Sequence, residues 1–434
     1  ALSSAASDVY KRQDYISHIL PELGEENIRE MSFDLYAYKE LRKGVSADCE
    51  DRYDQLERRM RFPDQESQDR FDWKQSKAFI GEIEGFLAVL EDRLIEFKEV
   101  YFRGMTLTEE EMIELFYFKF TETPLLNRMD AIKDYFIDSW ETLNGRNISD
   151  DDQETLQIKF DKMYKTKDIF AIYNWMLEDC GCNLLPDVPY EKRKLPYEDV
   201  FPMLYLKYRL SGGNSTHKNI KHLVIDEMQD YSYLQYTILE MLFRCRMTIL
   251  GDRAQTLDTK QQDILRFLPK LLGSEIRTIE IKKSYRNTLE IARYAEKVSG
   301  VSDLELLDRH GKEVVEKTFN TDTELLDELV CHLKCPGDFE TAALITTTEE
   351  EAFDLSRLLK LRGINVSYID RNSSAFKKGL TVTTFYLAKG LEFDQVFALR
   401  GAKENPLKNQ AEYICATRAL HELYVYEIAD SLSK

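Results

Sequence analysis

The spacing of apolar residues changes along the chain and predicts two kinds of structure. From Asp14 to about Tyr197, apolar residues recur at three and four positions between charged ones, which is typical of amphipathic helices. The stretches 76–97, 125–142 and 155–177 show this spacing most clearly, and their aromatic residues are expected to pack between helices. The first part of the chain is therefore predicted to be mostly α-helical.

After residue 198, short apolar or β-branched runs alternate with helical stretches. The segment 184–202 contains several prolines, which oppose helix continuation and favour a boundary near residue 198. The alternation is typical of parallel α/β units and predicts two small sheets. The predicted strands are 221–225, 247–250, 277–281, 342–346, 365–368, 380–385, 395–399 and 423–427.

The formal net charge of -19 is concentrated in the predicted helical part. Residues 14–200 hold 43 Asp and Glu against 25 Lys and Arg, whereas residues 201–434 hold 34 against 32. A surface that follows DNA needs cationic groups to replace the counterions of the phosphates, so the acidic part is poorly suited to that task. It suits a basic partner surface, or is simply a solvated face.

The composition excludes several classes of protein. No apolar run approaches the roughly 20 residues that span a bilayer, so no membrane association is expected. The seven cysteines predict reduced thiols in a cytoplasmic protein, and Cys331 and Cys335, which flank His332, have no second pair at zinc-site spacing. Residues 1–13, ALSSAASDVYKRQ, look like a non-native tail derived from a sequencing adapter. The natural protein is therefore expected to extend further upstream.

The segment 223–232, LVIDEMQDYS, carries the most specific chemical signal. An apolar run ends there in Asp226 and Glu227, and ligands of open α/β sheets bind at the carboxyl ends of strands. One carboxylate there can hold Mg²⁺, and the other can orient or deprotonate an attacking water. Two adjacent acids alone would be weak evidence for such a site.

Four further segments follow in a fixed order. TILGDRAQ at 248–255 ends a second strand in Gly251 and Asp252 and places Gln255 near a phosphate, and KSYRN at 283–287 offers a tyrosine and an arginine together. TVTTFYLAKGLEFDQV at 381–396 and YICATRA at 413–419 complete the series. Five such elements in one order resemble motifs II to VI of UvrD-like superfamily 1 helicases.

This resemblance implies a role for each matching residue. Asp226 would hold Mg²⁺, Glu227 would be the catalytic base, and Gln255 would couple the state of the ATP γ-phosphate to domain movement. The others would contact the nucleotide: Tyr285 would stack on its base, Arg286 and Arg418 would reach the γ-phosphate, Gly390 and Glu392 would approach the ribose, and Asp252 would complete the cofactor site.

Structural roles are the alternative for the same residues. Asp226 and Glu227 could cap a helix, Arg286 could form a surface ion pair, and Tyr285 could be a packed aromatic. A metal nuclease that uses the two acids is a further alternative, but it leaves the last two motifs without a purpose.

The sequence also departs from the resemblance. It contains no GxxxxGK[ST] loop, so this chain alone is expected to bind ATP poorly. No aromatic residue follows Gln255 closely to stack on DNA, and Tyr386 stands where the family has His, which argues against DNA unwinding.

The short spacing between Asn287 and Thr381 resembles the HelD branch of the family, which lacks a large insertion at that point. That branch carries a helical insertion before motif II, which residues 14–197 would match; Asp14–Asn27 resembles its entry. The resemblance implies two RecA-like P-loop NTPase domains, at 198–283 and 284–434, acting with ATP and Mg²⁺ on DNA or on RNA polymerase. The alternative is an acidic binding module that works without ATP on a basic protein partner.

Overall fold

The computed structural model describes residues 31–213, 217, 219–257, 264–273, 275–300, 305–334, 339–371, 373, 378–400 and 405–429. Helices and parallel strands are mixed over this part of the chain, which gives a mixed α/β fold. None of its helices has the length and apolar character needed to cross a membrane. The adapter-like residues 1–13, the segment 14–27 and Cys335 lie outside the described residues.

Helices fill the first part of the chain, as the apolar spacing predicts. They are α1 (Phe33–Val45), α2 (Arg52–Arg61), α3 (Gln65–Lys74), α4 (Lys77–Leu94), α5 (Glu109–Glu114), α6 (Arg128–Asn144), α7 (Asp150–Asp161), α8 (Ile169–Asp179) and α9 (Tyr197–Ser211). A π-helical turn, Leu115–Lys119, continues α5.

Two short strand pairs accompany these helices. The strands β1 (Asp48–Cys49) and β4 (Lys194–Leu195) pair in parallel, and β2 (Val100–Phe102) forms an antiparallel hairpin with β3 (Met105–Leu107). The sequence analysis does not predict them, because strands of two or three residues are too short to show an alternating pattern.

Helix α4 illustrates how the sequence sets a helix in this region. The Ser76 hydroxyl accepts hydrogen bonds from the backbone N–H groups of Ala78 and Phe79 at 3.1 and 3.4 Å, which caps the helix start. Apolar residues spaced by three or four positions form its buried face: Phe79, Ile83, Phe86, Leu90 and Leu94.

The apolar pattern at 155–177 continues through two helices, α7 and α8, rather than one. The chain leaves helical geometry between them, where Lys165 donates its backbone N–H to the carbonyl of Leu94 at 2.9 Å. Asp168 then starts α8 by accepting the backbone N–H of Phe170 at 3.1 Å. This local capping interrupts a helix that the hydrophobic spacing alone would continue.

The second part of the chain adds the parallel strands. The strand β5 (His222–Ile225) pairs with β6 (Arg246–Ile249), and β7 (Lys283–Ser284) pairs with β8 (Glu305–Leu306). A six-stranded sheet has the order β11-β12-β10-β13-β14-β9, and all its neighbouring strands are parallel. Its members are β9 (Val315–Phe319), β10 (Thr341–Thr346), β11 (Ser367–Tyr368), β12 (Gly379–Thr384), β13 (Phe393–Arg400) and β14 (Ala419–Ile428).

Helices pack against these strands. They are α10 (Tyr233–Leu242), α11 (Ile264–Leu272), α12 (Leu289–Ser299), α13 (Asp322–Lys334), α14 (Glu349–Leu361) and α15 (Lys408–Arg418). Parallel strands require crossover connections, and these helices supply several of them.

The strand predicted at 277–281 is wrong. Residues 275–282 have no regular secondary structure, and Ile279 and Ile281 are exposed at 70% and 79%. β-branched residues favour a strand only when a neighbouring strand is present to pair with. The other seven predicted strands overlap observed ones, while β7, β8 and β9 are additional strands in the second part of the chain that the sequence does not predict.

The main hydrophobic core crosses residue 198, where the sequence analysis places a boundary. Helix α9 buries Val200, Phe201, Leu204 and Leu206 in one cluster with the preceding helices, and the same cluster includes Ile225 of β5. The helical region and the β5–β6 pair are therefore packed together. The six-stranded sheet has separate clusters on its two faces.

A charged pair is buried inside the helical region. The Lys74 ammonium donates to the Asp199 carboxylate at 2.6 Å, and the Tyr173 hydroxyl donates to the same oxygen at 2.6 Å. The side chains of Lys74 and Asp199 are exposed by only 3% and 2%. These contacts join α3, α8 and α9.

Replacing Asp199 with alanine is expected to destabilise the fold by about 3 kcal/mol, because it leaves the buried Lys74 ammonium with the more distant Glu198 carboxylate, 3.8 Å away, as its counter-charge. Urea unfolding measures the loss. Asp179→Ala is the control, since it removes an ion pair to Arg93 in which both side chains are more than a third exposed, and it should cost less than about 1 kcal/mol. Equal losses for the two variants would contradict the assigned role of the buried pair.

Candidate functional site

The carboxyl end of β5 carries the first two predicted site residues. Asp226 is exposed and accepts the backbone N–H of Glu227 at 2.9 Å. Glu227 has a left-handed backbone (φ 53°, ψ 48°), which costs a residue with a Cβ atom roughly 1 kcal/mol. Its side chain makes no capping hydrogen bond to the turn that follows. The left-handed backbone thus lies at the junction of β5 and the turn that follows, where the Glu227 carbonyl accepts the backbone N–H of Asp230 at 3.0 Å.

The carboxyl end of β6 lies directly beside that of β5. The backbone N–H of Met228 donates to the carbonyl of Leu250 at 2.8 Å, which holds the two strand ends together. Beyond Leu250, the side-chain amide of Gln255 donates to the Asp252 carboxylate at 3.0 Å. The predicted residues of the second strand thus lie next to those of the first.

Gln229 connects the two strand ends and is not among the site residues predicted from the sequence. Its side-chain N–H donates to the Glu227 carboxylate at 2.6 Å, and its carbonyl oxygen accepts the backbone N–H of Asp252 at 3.1 Å. The side chain is buried. A polar residue two positions after the acidic pair was the only signal in the sequence.

Gly251 is required by the close approach of these two segments. A Cβ atom added there would lie 2.4 Å from the Gln229 side-chain oxygen and 2.6 Å from the Met228 backbone nitrogen. Gly251→Ala is therefore expected to destabilise the protein by about 1–3 kcal/mol and to displace Gln229.

Thermal or urea unfolding tests this expectation. Gly85→Ala is the matched control, because Gly85 lies in the middle of α4 with nothing within 4 Å of an added Cβ atom; that change should stabilise the helix by about 0.5–1 kcal/mol. A Gly251→Ala protein that is as stable as the wild type would refute the packing argument.

The second sheet contributes Arg418 at the end of α15. Its guanidinium donates to the Gln255 side-chain oxygen at 3.0 Å and to the carbonyl of Leu391 at 3.3 Å. On the same helix, the Tyr413 hydroxyl donates to the Asp252 carboxylate at 3.0 Å. The last helix of the six-stranded sheet domain thus contacts both predicted residues that follow β6.

Arg418 lies in an electrostatic environment suited to a further anion. Burial lowers its pKa, and the neighbouring cation Arg286 lowers that pKa further. Glu227, the strongest of three opposing carboxylates, acts in the other direction and raises this pKa. The Nε atom of Arg418 is buried and has no hydrogen-bond partner among the described residues, so the guanidinium retains a donor for a ligand oxygen.

A second contact between the two sheets joins Lys389 to Asp230, and the sequence does not predict it. The Lys389 ammonium donates to the Asp230 carboxylate at 2.8 Å and to the Gln255 carbonyl at 2.7 Å, and lies 3.8 Å from a Glu227 oxygen. Burial opposes ionisation of Asp230, but Lys389 and then Arg52 outweigh it and lower its pKa. Asp230 lies in the segment 223–232 and Lys389 in the segment 381–396. Neither segment indicates that the two residues pair with each other.

The remaining predicted residues lie towards solvent. Arg286 forms an ion pair with Glu392 at 2.7 Å, in which both side chains are almost half exposed. Tyr285 is 62% exposed and is therefore not a packed core aromatic. Gly390, which follows Lys389, has φ 78°. This backbone conformation favours glycine.

The predicted residues thus divide into two groups. Glu227, Asp252, Gln255 and Arg418 are joined directly or through Gln229. Arg286 and Glu392 are paired with each other, and the charges of both act on Arg418. Asp226 contacts the first group through the backbone N–H of Glu227 at 2.9 Å. Tyr285 precedes Arg286 and Gly390 follows Lys389 along the chain.

Comparison with protein families shows which family the chain belongs to. Residues 15–257 match the UvrD/REP helicase N-terminal domain. This match covers more than half of the 434 residues, and the chain belongs to the UvrD/REP helicase family.

Solved structures give further similarities. The chain is 26% identical to the C-terminal domain of a possible DNA helicase from Lactobacillus plantarum WCFS1, with coverage of 33% of this chain and 88% of that one and a TM-score of 0.28. It is 15% identical to the PRRSV helicase, with 61% and 46% coverage and a TM-score of 0.29. A second PRRSV helicase structure, of nsp10, shows 17% identity, 48% and 36% coverage and a TM-score of 0.19.

The chain therefore spans less than half of either viral helicase chain. No protein with a curated description matches it.

Proposed function

We propose that this chain is part of an ATP-dependent UvrD-like helicase or translocase, in which β5 and β6 belong to a first RecA-like domain and residues 284–434 form a second one. The observation that supports this most is the contact of Arg418 with Gln255, supported by Tyr413 and Asp252. Family members hydrolyse ATP between two such domains, and a bond between a guanidinium on one sheet domain and a glutamine on the other can report nucleotide state.

The residues present fit the metal and a phosphate oxygen of Mg·ATP, whereas this sequence contains no GxxxxGK[ST] loop to bind the other phosphates. Asp226 and Glu227 supply the carboxylate oxygens that Mg²⁺ prefers. The Nε of Arg418, which has no hydrogen-bond partner within the described part of the chain, can donate to a phosphate oxygen. The bound nucleotide would supply the phosphoryl group, and the metal would neutralise part of its charge. We propose that Asp226 holds the metal, that Tyr285 and Glu392 contact the nucleoside, and that Gly390 allows close approach.

The chain's own residues would perform the remaining steps. Glu227 would accept a proton from the attacking water, and Gln229 keeps its carboxylate oriented through the 2.6 Å hydrogen bond. Arg418 and Arg286 would stabilise charge on the phosphate oxygens, and Gln255 would report the change to both sheets. Lys389 joins the two sheets through its hydrogen bond to Asp230.

We further propose membership of the HelD branch, with residues 14–197 as a helical insertion and RNA polymerase as the partner. The excess of acidic residues over 14–200 supports this, because an acidic surface complements a basic channel that normally holds nucleic acid. The same acidity supports the second candidate, an ATP-independent clamp on a basic protein. We also propose a cytoplasmic location, which the seven scattered cysteines favour.

Two measurements on the full-length protein separate these candidates. ATP turnover that requires Mg²⁺ supports the motor, whereas tight partner binding with no turnover supports the clamp. For the partner, capture of purified RNA polymerase is compared with salt-dependent binding of a single-stranded oligonucleotide. Binding of the oligonucleotide through residues 14–197 would contradict the acidic-insertion proposal.

A further inference from the structure

Helix α2 belongs to the helical region by sequence but packs against the six-stranded sheet domain. Its buried side chains Leu56 and Met60 lie in one cluster with Ile291, Phe385 and Tyr386 of that domain. The helix starts at Asp51, which accepts the backbone N–H of Tyr53 at 2.8 Å. It therefore leaves the helical core and crosses to the second sheet.

The first turn of α2 contacts the site residues that follow β5. Arg52 lies 3.4 Å from the Asp230 carboxylate, which also binds Lys389 at 2.8 Å. The Asp230 and Lys389 side chains are exposed by only 7% and 9%. Asp230 is thus held between one cation from α2 and one from the loop after β12.

The middle of α2 contacts the same loop after β12 from the other side. The Tyr53 ring stacks on that of Tyr386 with centroids 5.0 Å apart, and the Tyr386 hydroxyl donates to a Glu57 carboxylate oxygen at 2.5 Å. The backbone N–H of Glu349, at the start of α14, donates to the same oxygen at 2.6 Å. Arg371 adds ion pairs to Asp54 and Asp51.

Tyr386 and Lys389 are three residues apart in one loop, so α2 fixes this loop at Tyr386 while Asp230 holds it at Lys389. We propose that α2 is a strap that couples the helical region to closure of the cleft between the two sheets, with Arg52 and Glu57 as positioning residues. Separation of the sheets breaks either the Arg52–Asp230 pair or the Glu57–Tyr386 bond, because both anchor points belong to one short helix. A partner that moves the helical region therefore changes the cleft.

The coupling is measurable without nucleotide, by hydrogen–deuterium exchange of the purified chain. Tyr386→Phe removes only the hydroxyl and keeps the ring stack. It should accelerate exchange at Glu349 and also, by about threefold or more, at the turn 228–230 on the other sheet. Arg52→Gln should accelerate exchange at that turn and, reciprocally, at the start of α14.

Arg58→Gln is the matched control. It changes the same residue type on the same helix, but Arg58 pairs with Glu50 of the helical region at 2.9 Å, so exchange at both distant segments should stay as in the wild type. Exchange that changes only at the contacts of each substituted residue would contradict the proposal that α2 couples the two sheets. Equal effects of Arg52→Gln and Arg58→Gln would contradict it as well.

The link to catalysis rests on the proposed ATPase function and is tested separately in the full-length protein. Arg52→Gln and Tyr386→Phe should lower kcat for ATP by about threefold or more and leave the nucleotide Kd unchanged, whereas Arg58→Gln should alter neither. Absence of turnover in the wild type would contradict the proposed ATPase function. The exchange experiment would still test whether α2 couples the two sheets. An unchanged kcat in the two variants of an active enzyme would overturn the link.

Discussion

Replacing Arg418 with alanine is expected to lower ATP turnover of the full-length protein by about 10³-fold, the effect typical of a lost arginine at a transferring phosphoryl group. The guanidinium contacts Gln255 at 3.0 Å and is almost completely buried among charges of both signs. Its removal takes away both a phosphate ligand and the contact that joins α15 to the residues after β6. Steady-state turnover with saturating Mg·ATP measures the loss.

Two companion variants keep this test specific. Arg418→Lys retains the charge but not the planar fork, so it should recover only a small part of the activity. Arg357→Ala removes an exposed arginine of α14 that pairs with Asp354, and its turnover should equal that of the wild type. A fully active Arg418→Ala enzyme would contradict the proposed nucleotide site between the two domains.

Glu227→Gln is expected to reduce turnover by about 10²–10⁴-fold while leaving nucleotide affinity nearly unchanged. Glutamine keeps an oxygen that can accept the hydrogen bond from Gln229, so the local fold is preserved. It cannot accept the proton of the attacking water. Turnover and equilibrium binding of a fluorescent ATP analogue, measured on the same preparation, distinguish the two effects.

Glu240→Gln provides the reference for this change. Glu240 is exposed on α10 and lies outside the candidate site, so the same isosteric substitution should leave both turnover and binding intact. If Glu227→Gln instead abolishes binding and keeps the turnover of the residual complex, Glu227 is a ligand of the nucleotide and not the base.

The sequence predicted those features that depend on local patterns. The runs before Asp226 and Asp252 predict strands because they are short, apolar and followed by polar residues, and the strands β5 and β6 are present there. Strand 277–281 had the same local appearance but no partner to pair with. Composition within a segment cannot reveal whether a hydrogen-bonding neighbour exists.

The cross-contacts of the site could not be predicted in the same way. The pairing of Lys389 with Asp230 joins residues 159 positions apart, and nothing in either segment specifies the other. The resemblance to helicases suggested that Arg418 and Gln255 belong to one site, but gave no role to Gln229 or Tyr413. Those two became visible only when the folded chain placed them against Glu227 and Asp252.

The helical region shows the same limit. Its amphipathic spacing predicted helices, and Trp140 and Phe170 are buried as expected. The spacing of Leu56 and Met60 in α2 has the same form, yet these side chains pack against the six-stranded sheet. Apolar periodicity shows which face of a helix is buried, but it does not show which part of the protein packs against that face.

The strand order of the six-stranded sheet has a consequence for synthesis of the protein. β14, the last strand along the described chain, lies between β13 and β9. Until residues 419–428 leave the ribosome, β9 has no partner and β13 presents an open edge, which are features that invite aggregation. Chaperone demand during translation should therefore persist until β14 emerges, and a ribosome stalled before residue 419 should present a nascent chain that proteases cleave readily.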